Sequence, residues 1–350
     1  MLQVACAIGR LHDPQQLMVA ILEHVTAAFA ADRSALFLHD PTTGELYSRV
    51  AEGMEDRAEQ IRVPDDQGLC GRVFGKHESL CIIDTFQSRE FDRTTADWTG
   101  YMPRSMLVVP IVYRPGRCDG VLEVMDQRVG YFTEQDIPLL EAIAVQVGIS
   151  LDNARLLEAQ KQQFDSFVRA FATALDARDP LTAIHSVNVA NYAMGIAHEL
   201  GCPTNEMERL RVAGLLHDVG KIGVPEAVLT KPGRLTDDEF VKMRQHAAHS
   251  RKILSQIQFT DDLVGTDQLA AAHHERLDGS GYPDGLQADR IPLPARIIAV
   301  ADVFDALTQD RHYREGMTIA DALGIIDSMT PHQLDAACVG ALRRFVNTPK

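Results

Sequence analysis

The sequence predicts two domains of different class: an α+β domain with an antiparallel sheet flanked by helices, then an all-α helical bundle. Three observations predict it. A chain of 350 residues is long for one hydrophobic core and comfortable for two. Strand–turn–strand patterns fill roughly the first 155 residues and give way to capped helical patterns afterwards. Between the halves, residues 136–175 contain no Gly or Pro except Pro138 and Gly148, so one long helix runs from one domain to the next.

In chain order, Leu17, Ile21, Leu22 and Val25 mark an amphipathic first helix. Ser34-Ala35-Leu36-Phe37-Leu38 is a strand, Asp40-Pro41-Thr42-Thr43-Gly44 a turn, and Leu46-Tyr47 the returning strand. The pattern recurs from Met106 to Val112 and from Val121 to Met125, separated by Pro115-Gly116 and Asp119-Gly120. On the long helix, Leu140, Ile143, Val147, Ala154, Leu157, Phe164, Val168, Phe171 and Leu175 approach heptad spacing, with Lys161 interrupting the seam. That seam predicts pairing with a second copy; the alternative is a helix packed on its own domain. Further on, Gly201 ends the helix through Val187, Tyr192, Met194 and Leu200. Thr236 to Glu239 form a capping box, and Pro294 suits the first turn of the helix through Ile297, Ala301 and Leu307.

Apolar residues make up 45% of the chain and charged residues 24%, the balance of a folded protein. Lys and Arg total 34 against 49 Asp and Glu, a net charge of -15, which argues against binding along a nucleic-acid polymer. A small anionic substrate stays open if metals or a few basic residues meet its charge. No apolar run approaches the roughly 18 to 20 residues of a membrane span. Met1-Leu2-Gln3-Val4-Ala5-Cys6 lacks the basic start of a secretory signal. The six cysteines (Cys6, Cys70, Cys81, Cys118, Cys202, Cys338) include no CxxC pair and read as reduced thiols. The expectation is a cytoplasmic protein without membrane contact.

Nine of the 13 histidines lie from His185 onward. His185, His217-Asp218, His246 and His273-His274, with Asp302, fall on separate helices or helix ends, as in bundles that assemble a metal site from facing helices. Imidazole and carboxylate suit iron, manganese, zinc or nickel. Neighbouring helical side chains diverge by about 100°, so an adjacent pair can straddle two ions. His273 and His274 could serve separate metals, and Asp218 could bridge both. Seven ligands for two ions, with room for water, make a hydrolytic two-metal site. His198, His249, His312 and His332 read as surface or hydrogen-bonded histidines, although His249 lies one turn after His246.

His217-Asp218-Val219-Gly220-Lys221-Ile222-Gly223 resembles the HD(x)GK(x)G core of HD-domain phosphohydrolases. The run from His273-His274-Glu275 through Asp278-Gly279-Ser280-Gly281-Tyr282-Pro283 resembles the HHExxDGxGYP signature of the HD-GYP subfamily. Ile291 to Thr308 and Arg311-His312-Tyr313-Arg314 continue the resemblance, which spans about residues 165–325. It implies an HD-GYP domain over 165–350 that hydrolyses cyclic di-GMP to linear pGpG, and to GMP in some members, by attack of a metal-bridging hydroxide. The implied metals are two divalent ions, iron or manganese, and the implied ligands are the seven residues already grouped. Asp218, Lys221 and Asp305 take the catalytic roles, with Lys221 and Asp305 beside the scissile phosphate. Tyr282 faces the guanine or phosphate end of the ligand, and Arg311 and Arg314 bind phosphate. Leu181 stands where members with a third metal place a carboxylate, so two metals are expected. Ser250 replaces the Gly usual four residues after His246, and the segment Met329 to His332 is shorter than the common pattern; neither is expected to touch a ligand. A different cyclic dinucleotide, or binding without turnover, are the alternatives.

The order of elements over residues 1–155 resembles a GAF domain, with Ala31-Asp32-Arg33, Gly68 to Val73, Ser105 to Pro110, Gly120 to Val124 and Phe132 to Asp136 as matching features. That resemblance implies a sensor and dimerisation unit acting through the helix at 136–175. Its ligand is unknown. Asp126-Gln127 replaces the Asn-Lys pair of GAF domains that bind cyclic nucleotides, so cyclic AMP and cyclic GMP are not expected. Cys70, Cys81, Cys118 and His77 are expected to be buried structural residues rather than redox or haem sensors.

Overall fold

The computed structural model describes residues 14–48, 61–91, 93, 97, 100–127, 130–177, 184–310 and 315–348. The chain divides into two compact units, Met1–Gln162 and Gln163–Lys350.

In the first unit, apolar residues alternate along the strands and serve two cores, because successive strand side chains point to opposite faces. Strands β1 (Ala31–Asp40), β2 (Glu45–Ser48), β3 (Ile61–Pro64), β4 (Leu80–Ile82), β5 (Met106–Pro110) and β6 (Gly120–Gln127) form one antiparallel sheet of order β3-β2-β1-β6-β5-β4. Leu36 and Leu38 join Leu107, Val109, Leu122 and Val124 on one face, under α1 (Pro14–Ala28). Ala35 and Phe37 join Met106, Val108 and Val121 on the other, against Leu69 and Val73 of α2 (Gly68–Lys76). The two sequence-expected hairpins are β1–β2 and β5–β6. Two short strands, β3 and β4, and the glycine-rich α2 add to them.

The expected long helix is α3 (Ile137–Asp176). It belongs to the only stretch among the described residues long and apolar enough, by length and composition, to cross a membrane. This corrects the expectation that no run reaches that length. Its apolar residues Leu140, Ile143, Ala144, Val147, Leu151 and Ala154 are buried in the core of the first unit. Val168 and Ala172 are buried in that of the second, where Phe164 and Leu175 also pack. Leu157 and Phe171 of the seam are exposed. A helix of 3.6 residues per turn drifts off a seven-residue pattern, so these positions do not stay on one face.

The thiols and the Asp126 turn also bear on the first unit. Cys70, Cys81 and Cys118 are in no disulfide and are half-buried, and His77 is exposed at the end of α2, so none is the buried residue expected. Asp126 is structural: its carboxylate accepts from the backbone N–H groups of Arg104 and Ser105 and from the Tyr101 hydroxyl.

The second unit is helical: α4 (His185–Glu199), α5 (Thr204–Leu216), α6 (Asp237–Leu254), α7 (Thr266–Ala271), α8 (Leu293–Thr308), α9 (Ile319–Met329) and α10 (Ala336–Asn347). The Thr236–Glu239 capping box opens α6, Gly201 follows α4 with a positive φ of 70°, and Pro294 lies in the first turn of α8. Ala190, Ala193 and Ala197 of α4 meet Ala213 of α5 and Ala295, Ala299 and Ala301 of α8 in one core. Small residues on facing helices let the backbones approach closely, which brings the polar ends of these helices to one place.

Candidate metal centre

The structure brings the seven sequence-predicted ligand side chains together. His185 opens α4, and His217 ends α5 with Asp218 starting a 3-10 turn over Val219–Gly223. His246 lies on α6, His273 and His274 end a 3-10 turn after α7, and Asp302 lies on α8. His185, His217, His246 and His273 are buried, and the His274 side chain is 22% exposed.

Two backbone features fix this arrangement. The turn after Asp218 lies so close to α6 that a Cβ on Gly220 would stand 1.9 Å from the His246 carbonyl oxygen. The Ser250 hydroxyl fastens the same contact, donating to the His217 carbonyl at 2.7 Å and accepting from the Gly220 N–H at 2.9 Å. The expectation that Ser250 touches no ligand position is thereby corrected: its hydroxyl holds the backbone of His217. Glu275, buried, accepts from the N–H groups of Asp284 and Leu286 and shapes the loop that carries Tyr282.

The carboxylates separate the histidines into two sets. Asp218 Oδ1 stands 3.3 Å from His246 Nε2 and 3.8 Å from His273 Nε2. Its Oδ2 stands 3.4 Å from His217 Nε2, 3.8 Å from His185 Nε2 and 2.7 Å from Lys221 Nζ. Asp302 spans the same divide, with Oδ1 at 3.3 Å from His185 Nε2 and Oδ2 at 3.8 Å from His274 Nδ1. The groups His246, His273, His274 and His185, His217, Asp218 each have ligand atoms clustered within 4.8 Å. Ligands held about 2.1 Å from one ion stand about 3 to 4 Å apart, so the spacings suit two ions.

Protonation supports that fit. His217, His246 and His273 each donate Nδ1–H to the carbonyl of Gly214, Met243 or Ala270, at 2.7, 2.7 and 2.6 Å. A carbonyl only accepts, so Nε2 is the inward atom of each ring, and it is a bare lone pair wherever the ring is neutral. His217 Nε2 is buried without a hydrogen-bond partner, and the Nε2 atoms of His246 and His273 face each other at 3.3 Å. Two facing lone pairs repel unless a cation lies near both. Burial lowers His246, outweighing the pull of Asp218; burial and the neighbouring imidazoles hold His273 well below its ordinary value. Burial takes His274 down to about 3. Burial also opposes charging of Asp218 and Asp302, yet Lys221, His217 and His246 keep the first, and His185, His274 and His217 the second, well below the ordinary carboxylate value. Neutral His246, His273 and His274 beside ionised carboxylates are in their metal-binding forms, whereas at His217 burial opposes the charge but Asp218 outweighs it and raises that ring.

His185 differs. Burial disfavours its charge, but hydrogen bonds to Asp302 and Asp305 outweigh burial and push it up to about 10. Loading of a metal at Nε2 must therefore release a proton. Asp305, 1% exposed, accepts from His185 Nδ1 at 2.7 Å. It stands behind a ligand rather than open to a phosphate, unlike its expected place. Lys221 does stand at the centre, on Asp218. The Tyr282 ring lies 4.6 Å from that of His274, with the Arg244 guanidinium 4.5 Å from its centre. Arg311, Arg314 and Leu181 lie outside the described residues. His198 and His332 are exposed, and His249 packs beside Gly223 away from the two sets.

The supporting residues Ser250, Asp305 and Arg244 carry weak local signals. Asp305 follows Asp302 at i+3 and Arg244 follows Phe240 at i+4, spacings shared by many exposed helical residues. The Ser250 signal was its departure from the usual Gly.

A family model described as HD domain matches residues 154–338, more than half of the chain, and one described as GAF domain matches residues 13–151. The "3'3'-cGAMP-specific phosphodiesterase 3" of Vibrio cholerae serotype O1 is 41% identical over 202 residues, 58% of this chain and 42% of that protein. The "Cyclic di-GMP phosphodiesterase response regulator RpfG" of Xanthomonas campestris pv. campestris is 41% identical over 191 residues, 55% of this chain and 50% of that protein. The "Cyclic di-GMP phosphodiesterase PA4108" of Pseudomonas aeruginosa is 42% identical over 149 residues, 43% of this chain and 36% of that protein. The chain thus spans half or less of the length of these relatives.

Proposed function

The chain belongs to the HD domain family, joined here to a GAF domain, and from that premise we propose that it is a metal-dependent cyclic di-GMP phosphodiesterase. The observation that carries this reading is Asp218, whose two oxygens face separate histidine sets. The product is linear pGpG, with GMP as a second product. The GAF domain regulates the reaction in response to a small ligand, and the enzyme acts in the cytoplasm. The relatives named for cyclic di-GMP support the substrate.

His185, His217, His246, His273, His274, Asp218 and Asp302 would hold two divalent ions, iron or manganese. Such ions supply Lewis-acid charge at a phosphate and lower the pKa of water toward neutrality. The protein's own part is orientation and charge. Asp305 fixes the His185 ring through Nδ1, and the Gly214, Met243 and Ala270 carbonyls fix three other rings. Lys221 Nζ is placed to meet a phosphate oxygen arriving beside Asp218 and to offset charge that grows on it in the transition state. Tyr282 borders the same space beside His274. Arg311 and Arg314 complete the phosphate contacts in this reading.

A second reading, cleavage of 3'3'-cGAMP, is favoured by the relative of 41% identity named for that substrate. One experiment separates the two. Protein purified without oxygen and loaded with iron or manganese is given each cyclic dinucleotide, and products are resolved by chromatography. Faster conversion of cyclic di-GMP supports the first reading, faster conversion of 3'3'-cGAMP the second, and no conversion of either overturns both. We also propose that two copies pair along α3, where Leu156, Leu157 and Phe167 are exposed. Light scattering that reports a monomer at micromolar concentration refutes this pairing.

A further inference from the structure

Helix α4 begins at His185 without a cap of its own. Ile184 occupies the N-cap, and an isoleucine side chain offers no acceptor for the unpaired N–H groups of a first helical turn. The acceptor comes from the last residue of α3. Asp176 Oδ2 accepts from the Ser186 backbone N–H at 3.1 Å, and Oδ1 accepts from the Ser186 hydroxyl at 2.8 Å. Asp176 is 4% exposed and Ser186 2%. A buried carboxylate at a helix N-terminus meets both the free N–H groups and the positive end of the helix dipole, with little screening by solvent.

His185 is the residue next to Ser186. Its ring is held at Nδ1 by Asp305 of α8, while the backbone that carries it is held by Asp176 of α3. Nε2 is left facing Asp302 at 3.3 Å and Asp218 at 3.8 Å. We propose that Asp176 is a positioning residue: it caps α4 from the end of α3 and so sets where His185 presents Nε2 to a metal. The half of the centre built on His185 and His217 then depends on the register of the last turn of α3, whereas the half built on His246, His273 and His274 does not. This inference rests on the two-metal reading of the site.

The test is metal binding by the full-length chain, stripped of metal and titrated with Mn²⁺ in competition with a chelator. Ser186→Ala removes one hydrogen bond with little change of volume, and Asp176→Asn removes the charge. Partners that orient a metal-binding histidine typically contribute 10- to 100-fold to affinity. The expected result is one ion bound about tenfold more weakly in Asp176→Asn, a smaller loss in Ser186→Ala, and the other ion unchanged in both. Two ions held equally by both variants and the wild type would overturn the role of Asp176, whatever the variants do to the unfolding temperature. If Asp176→Asn does not fold, Ser186→Ala alone decides. A wild-type chain that binds fewer than two ions instead overturns the two-metal reading and this inference with it.

Discussion

Replacing Glu123 with Gln should stabilise the N-terminal unit above pH 7 and do little near pH 4. Glu123 is 6% exposed on β6 and points, by strand alternation, into the apolar layer of Phe37, Val73 and Val108. The Cys70 thiol donates to its Oε2 at 3.2 Å. Burial pushes the Glu123 acid from 4.5 up to about 7, and the thiol offsets only part of that rise. Between those values the folded chain binds more protons than the unfolded chain, so stability falls as pH rises through the window and levels off above it. At 1.36 kcal/mol per pKa unit, the shift costs about 3 kcal/mol above pH 7. Glutamine keeps an acceptor for Cys70 and removes the titration. The assay is hydrogen exchange of β1 and β6 amides in the full-length chain from pH 4 to 8, corrected for the intrinsic exchange rate. A wild-type stability that rises with pH in this window, or a Gln variant with the same pH profile, would rule out Glu123 as the source of the loss.

Gly220→Ala should lower both stability and metal content, because the added Cβ meets the His246 carbonyl at 1.9 Å. Overpacking of that kind costs about 1 to 3 kcal/mol, and a thermal scan with metal analysis measures both effects. Asp305→Ala frees the His185 ring and should weaken metal binding by about 10- to 100-fold, read by chelator competition. Unchanged affinity would contradict its place behind His185. Lys221→Ala should keep the metals and lower kcat by about 10²- to 10³-fold, the scale of losing one charge-stabilising donor. Loss of metal together with activity would instead assign Lys221 to holding the site together.

The long periodic elements were legible in the sequence because their signals are local. The β1–β2 and β5–β6 hairpins follow from alternation and turn residues, and α3 follows from the near absence of Gly and Pro. Strands β3 and β4 have only four and three residues, too few to show a period. Helix α2 begins at Gly68 and includes Gly71 and Gly75, which disfavour a helix locally; burial of Leu69 and Val73 outweighs that preference. Gly71 also lies against the backbone of Asp65 and Asp66, where a Cβ would not fit.

The residues that converge at this centre were legible because the adjacent pairs His217-Asp218 and His273-His274 are an unusual pattern with few structural uses. The contacts of their supports were not: Asp305 was expected beside a phosphate, Ser250 stood out only as a departure from the usual Gly, and Asp176 carried no signal. Asp305 on His185, Ser250 between His217 and Gly220, and Asp176 on Ser186 act across 120, 33 and 30, and 10 positions of chain, and nothing local shows these contacts. The exposure of Leu157 and Phe171 on α3 was hidden for the opposite reason, since a heptad pattern looks continuous on paper while the helix turns away from it.

In the two-metal reading, Asp218 would hold one ion on each side. Anomalous diffraction from crystals of the manganese-loaded chain tests it most directly, by locating every bound ion relative to that carboxylate. The expected result is two ions per chain, one beside His185 and His217 and one beside His246, His273 and His274, with Asp218 touching both. A single ion, or two ions that share no contact with Asp218, would contradict it.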